Sequence, residues 1–213
     1  MFSFEQAGAS YNGRNSILWA NFSSPILDDK DNNKMKYATI KPLDVANGEG
    51  IRVSLFVSGC THHCPGCFNS EAWDFDYGEP YTEEVENKII SLLGNPVVEG
   101  LSLLGGEPFE PCNQRVLVGL LRKAKALYPE KTVWCYSGYT YDKELKAPSR
   151  ARCEVTDEML SYVDFLVDGR FEMDKKNLRL RFRGSMNQRI IDLRATEATG
   201  VITPWAGLED EQL

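Results

Sequence analysis

The sequence predicts an α/β protein built on a mostly parallel sheet, and three observations predict it. β-Branched or aromatic runs of strand length alternate with amphipathic stretches, in the order strand, helix, strand, helix, strand, helix, strand. Distinctive loops follow the strands at Ser58–Asn69, Gly105–Pro108, Ser137–Tyr139 and Asp168–Gly169, where parallel sheets collect their chemistry. The chain has 213 residues, 42% of them hydrophobic, enough for one domain with a core or one domain with an appendage.

Residues 1–34 are rich in Asn and Asp and weakly patterned, with Phe2, Phe4, Leu18, Trp19 and Phe22 scattered among them. They are expected to form a flexible polar extension, with a partner-contacting arm as the alternative. Asp44–Gly50 is a turn with two glycines, and Ile51–Val57 is a strand that runs into the cysteine loop. Thr82 caps a helix with Glu83 and Glu84 in its first turn; Val85, Ile89, Leu92 and Leu93 share one face, and Gly94-Asn95-Pro96 ends it. Leu101–Leu104 is a buried strand. Val116, Leu117, Leu120, Leu121, Ala124 and Leu127 mark a second amphipathic helix, and Thr132–Tyr136 the next strand. Residues 140–155 read as irregular. A short helix starts at Thr156, Val163–Val167 is a strand, and Arg189–Leu193 is the last strand. The domain is thus placed at 35–194. Residues 195–213 form an acidic-ended tail for which docking stays open.

The net charge of −7 argues against a general nucleic-acid binder or a membrane-surface protein. No apolar run approaches the ~20 residues that span a bilayer, and no secretory signal pattern is present, so a reduced, cytoplasmic setting is expected. There the six cysteines are better read as ligands than as disulfides.

Three of them, Cys60, Cys64 and Cys67, share one short loop with spacing C-x3-C-x2-C. Three soft thiolates suit an iron–sulfur cluster or a thiophilic metal. A closed zinc site wants four ligands, and three thiolates leave one iron of a cubane open for chemistry. Pro65 and Gly66 permit a tight turn between the second and third thiolates. Two other readings stay open: a zinc knuckle completed by His62 or His63, and a Cys64–Cys67 redox dithiol. Elsewhere, Gly105 and Gly106 let backbone approach a ligand closely, and Glu107 or nearby carbonyls can bind an ammonium group. Ser137 is either a ligand contact for ribose or carboxylate or a turn serine. Asp168 either faces ribose hydroxyls or caps its own turn. His62 and His63 read as ordinary loop residues with a secondary option of tuning a cluster. Cys135 reads as a core residue, Cys112 as loop filler with an extra thiol near the site as the alternative, and Cys153 carries no motif.

The cysteine loop, with the aromatic Phe68 after its third cysteine, resembles the radical S-adenosylmethionine enzymes, and Gly105-Gly106-Glu107-Pro108 resembles the motif that holds the methionine amino group there. The stretches Val45–Arg52, Trp134–Tyr139, Leu166–Phe171 and above all Leu180–Asp192 are similar to the activating proteins of anaerobic ribonucleoside-triphosphate reductase, over about residues 35–193. Residues 1–34, the basic segment near Lys146–Arg152 and the tail after Arg194 depart from that pattern. The resemblance implies a compact, incomplete (β/α) barrel, since this length leaves no room for eight βα units. It implies a [4Fe-4S] cluster on Cys60, Cys64 and Cys67. S-Adenosylmethionine is expected against Gly66, Phe68, Gly105, Gly106, Glu107, Ser137 and Asp168, and no catalytic residue beyond the cluster ligands. The implied reaction is reductive cleavage to a 5′-deoxyadenosyl radical, which takes a hydrogen from a glycine Cα of the reductase. The implied partners are the large glycyl-radical subunit and a flavodoxin- or ferredoxin-type electron donor, with no nucleic acid and no membrane. Two rivals are an activase of another glycyl-radical enzyme, such as pyruvate formate-lyase, and a non-catalytic zinc-binding interaction module.

Overall fold

The computed structural model describes residues 35–208; the expected extension over 1–34 lies outside the described residues, as does the acidic end 209–213. In chain order the elements are β1 (Lys36–Asp44), β2 (Arg52–Val57), β3 (Glu79–Pro80), α1 (Glu83–Leu93), β4 (Gly100–Gly105), α2 (Pro111–Leu127), β5 (Thr132–Tyr136), α3 (Thr156–Tyr162), β6 (Phe165–Asp168), β7 (Arg189–Asp192), α4 (Leu193–Thr199) and β8 (Thr203–Pro204). They form one mixed sheet in the order β3-β1-β2-β4-β5-β6-β7-β8. Its centre, β2-β4-β5-β6, is parallel, and each successive pair is joined through a helix, as the alternating pattern predicts.

The sheet is antiparallel towards both edges. β1 escaped the sequence reading because KYATIKPLD is mostly half-exposed and carries Pro42, so its hydrophobic alternation is diluted. β7 runs against β6 because residues 169–188 hold only a 3₁₀ turn, Met173–Lys175, and no crossover helix. Residues 140–155, expected to be irregular, contain one π-type turn, Tyr141–Leu145. α2 starts at Pro111, well before its apolar periodicity, because proline suits the first helical position and Asn113 and Gln114 are buried by hydrogen bonding. Past Ala195, α4 is capped by Asp192, β8 pairs with β7 and Trp205 is buried.

Strand alternation divides the interior. Val53, Leu55, Leu101, Leu103, Val133, Cys135, Leu166 and Ile191 face the main core beneath the helices. Trp134, Val167 and Ile190 face the other way and pack on Trp205. On that second face lies Arg52, fully buried without a carboxylate. Its guanidinium donates to Ser102 Oγ, the carbonyls of Glu49, Leu101 and Thr132, and Thr132 Oγ1, so every contact is to a neutral acceptor. Burial pulls it down to about 10, still charged at neutral pH. It ties three adjacent strands together at the end opposite the cysteine loop. Arg52→Ala is expected to cost about 3 kcal/mol in urea unfolding, because several buried acceptors lose their donors and a cavity opens. A loss below about 1 kcal/mol would mean the site collapses or admits water.

Candidate metal and cofactor site

β2 delivers the chain into the cysteine loop at the carboxyl end of the parallel strands. The first part of that loop is held by backbone bonds from Gly59 N to Ala72 O (2.9 Å), from Cys60 N to Trp73 O (3.1 Å) and from Glu107 N to Gly59 O (2.8 Å). Asn113, on the first turn of α2, donates to the carbonyls of Ser58 and Glu107, and Glu110 accepts from both the amide and the hydroxyl of Thr61. Between the second and third thiols Cys67 N bonds Cys64 O at 3.1 Å with Gly66 at φ 74°, a type II turn with proline at its first corner.

The loops enclose a cavity of about 490 Å³, in the range of ligand sites. Cys60, Cys64, Gly66, Cys67, Phe68, Gly105, Gly106, Glu107 and Ser137 all line it, so the fold brings these sequence candidates together. Asp168 does not line it. Its carboxylate takes both Nε and Nη2 of Arg189 (2.8 and 2.5 Å) and the Tyr141 amide (2.7 Å), and its neighbour Gly169 lines the cavity instead. Phe68 and Leu178, 87% and 89% exposed, also belong to the lining. The segment from Lys176 to Gln188 supplies part of the lining and is closed on itself by the Lys176–Ser185 bridge; it includes the Arg183–Gln188 stretch singled out by resemblance.

The glycines have clear work. Gly105 sits at φ 110°, and a Cβ there would lie 2.6 Å from Val57 O; a Cβ on Gly106 would lie 2.5 Å from Gly59 O. Side chains at either position would push the strand end and the cysteine loop apart. Glu107 is buried with four donors on its carboxylate: Phe109 N (2.8 Å) and Ser137 Oγ (2.9 Å) on Oε1, Gly138 N (2.7 Å) and His62 Nε2 (3.0 Å) on Oε2. The carboxylate that the sequence offers to an ammonium is therefore spent on joining loops. Ser137 gives its proton to Glu107 and accepts from Tyr139 N.

The donor set fits an iron–sulfur cluster. Among the described residues no three His, Cys, Asp or Glu side chains converge on a position for a single ion, whereas three thiols facing one cavity suit a multi-iron group that takes one thiolate per iron. His62 has both ring nitrogens engaged, by Glu107 and Arg170, so it is not set to complete a zinc knuckle; the His63 ring stacks on Trp73 with centroids 4.8 Å apart. Burial, reinforced by the nearby Glu107, pushes the Cys60 thiol up to about 12, and burial raises Cys64. Loading a metal must therefore displace protons. Tyr136 also lines the cavity; its hydroxyl is buried without a partner among the described residues and is kept protonated by desolvation. It is a donor waiting for an acceptor.

The chain matches the 4Fe-4S single cluster domain family over residues 46–191, a span that contains the cavity lining from Ala46 to Gln188. It is 43% identical over 156 residues to the anaerobic ribonucleoside-triphosphate reductase-activating protein of Pasteurella multocida, covering 72% of this chain and 95% of the relative. The chain belongs to this family of activating proteins. The Salmonella typhimurium member is 41% identical over 162 residues, 75% of this chain and all of the relative. The member from Enterobacteria phage T4 is 38% identical over 158 residues, 73% of this chain and 93% of the relative.

Sequence reasoning missed several site residues of this activating-protein family member. The sequence offers His62 as an ordinary loop residue, with cluster tuning or a fourth zinc ligand as options, and does not single out Glu110, Asn113, Tyr136 or Arg170. Asn113 and Gln114 left a usable signal: two polar residues just before the apolar face of α2. The rest meet the site through contacts across the sheet, which spacing does not record.

Proposed function

We propose that this protein activates an anaerobic ribonucleoside-triphosphate reductase by making a glycyl radical on its large subunit. The observation that carries the reading is the single cavity lined by Cys60, Cys64 and Cys67 together with Gly105, Gly106, Ser137 and the Arg183–Gln188 segment. On this reading the sheet is an incomplete (β/α) barrel, and Cys60, Cys64 and Cys67 hold a [4Fe-4S] cluster. Such a cluster, once reduced, would supply the electron for reductive cleavage of S-adenosylmethionine to methionine and a 5′-deoxyadenosyl radical, the species that would take hydrogen from a glycine Cα.

The chain's own residues bind, orient and exclude water. Backbone around Gly105 and Gly106 receives the methionine end, since the Glu107 carboxylate is already saturated by loop donors. Tyr136 offers its phenol to a ligand acceptor, while Asp168 shapes the site from behind through Arg189. The reductase loop enters past the exposed Phe68 and Leu178 and must bring its glycine within about 3–3.5 Å of the radical carbon. A flavodoxin- or ferredoxin-type donor reduces the cluster, in the cytoplasm. Among the described residues no helix is long and apolar enough to cross a membrane.

Anaerobic reconstitution with iron and sulfide, reduction, and addition of S-adenosylmethionine and the cognate reductase test the reading. A doublet EPR signal should appear on the reductase, and deuterium at the target glycine Cα should appear in 5′-deoxyadenosine. A radical on pyruvate formate-lyase but not on the reductase would reassign the substrate. Zinc in place of iron, with no cleavage, would end the enzyme reading.

A further inference from the structure

His62 lies between the first two cysteines, and its imidazole is 2% exposed. It meets each of the other loops around the cavity. Nε2 is 3.0 Å from Glu107 Oε2, and Nδ1 is 3.1 Å from Arg170 Nε. The ring packs edge-on against Tyr139 with centroids 4.3 Å apart. It also fills the space where Gly138 lacks a side chain: a Cβ there would come 2.4 Å from His62 Cδ2 and 2.6 Å from Nε2. The partners decide the tautomer. Arg170 Nε can only donate, so Nδ1 is the acceptor, and the ring proton sits on Nε2 and goes to Glu107. Arg170 is steadied in turn by Glu144, whose other oxygen accepts from Thr140 N.

The first part of the cysteine loop has its own tethers at Ser58, Gly59 and Thr61. His62 fastens the point where the loop turns towards Cys64 and Cys67. We propose that His62 is a positioning residue which, through its contacts with Glu107, Gly138, Tyr139 and Arg170, holds the cysteine loop in register with the Gly105–Glu107 and Ser137–Gly138 loops. The inference rests on the reading that a cluster and S-adenosylmethionine share this cavity. Its consequence is that His62, which also lines the cavity, sets how S-adenosylmethionine meets the cluster by fixing the loops around it. A ligand that must bridge the two walls binds well only when both are in register.

The test compares reconstituted wild type with His62→Ala, His62→Asn, His62→Gln and Gly138→Ala. Glutamine carries an N–H donor at about the reach of Nε2, whereas asparagine does not reach Glu107. Alanine at 138 leaves the imidazole in the chain but forces it out of its slot. Iron content and visible absorption should stay at wild-type level in all four. The KM for S-adenosylmethionine should rise at least about tenfold in His62→Ala, His62→Asn and Gly138→Ala, more than kcat falls, with a weakened change in the reduced cluster's EPR spectrum on adding S-adenosylmethionine. His62→Gln should return to within about threefold of wild type. Equal effects in His62→Ala and His62→Gln, an unchanged EPR response in Gly138→Ala, or losses that follow iron content would overturn the proposal. If His62→Ala does not fold, Gly138→Ala and His62→Gln still decide it. Failure of the wild type itself to bind a cluster or cleave S-adenosylmethionine would instead defeat the functional reading beneath it.

Discussion

Replacing Cys60, Cys64 or Cys67 by alanine is expected to remove the cluster's visible absorption and lower S-adenosylmethionine cleavage below about one hundredth of wild type. Each of the three cysteines lines the same cavity, and the His62 imidazole, held on both ring nitrogens by Glu107 and Arg170, is no ready substitute. Cys112, Cys135 and Cys153 lie outside the cavity lining and are expected to be dispensable for both measurements. Cys135→Ala should still cost about 1 kcal/mol of stability, because that side chain is fully buried in the main core. Iron analysis, absorption spectra and a cleavage assay on the six variants check this. Retained cleavage in any of the first three would remove the ligand assignment.

Glu107→Gln should be nearly as damaging, although it preserves volume. The carboxylate accepts two donors on each oxygen, and an amide must turn its NH2 towards one of those pairs. With the NH2 towards Gly138 and His62 two bonds are lost and two buried donors face another donor; turned towards Phe109 and Ser137, the Phe109 amide faces a donor and the Ser137 hydroxyl must turn round to accept. The expected cost is about 2–4 kcal/mol in urea unfolding, with cleavage reduced about 100-fold. Ser137→Ala removes only one of the four donors and should cost about 1 kcal/mol. Equal effects for the two variants would show that the carboxylate is not the hub of these loops.

The two predictions differ in how far the sequence supports them. The three-thiol loop was legible from spacing alone, because its cysteines are neighbours in the chain. The turn at Pro65-Gly66 was legible for the same reason. Glu107 was legible as a candidate, but its role was not. Its partners come from His62, Phe109, Ser137 and Gly138, three of them tens of residues away. Asp168 shows the converse case: a carboxylate at a strand end looked ready for ribose, and Arg189 from the neighbouring antiparallel strand takes both its oxygens.

What the sequence determined by itself was whatever depends on local order. This includes the alternation of strands and helices, the caps of α1, the three-thiol loop and the glycines that end β4. Periodicity, capping and ligand spacing act over a few residues and are written in adjacent letters. Only the tertiary structure decided that β7 turns back against β6, that Arg52 is satisfied wholly by neutral acceptors, that Trp205 closes the second face, and that His62 joins the loops. These depend on which strand lies beside which. Pairing across a sheet brings together donors and acceptors that no interval in the chain relates, and burial then makes each such bond obligatory.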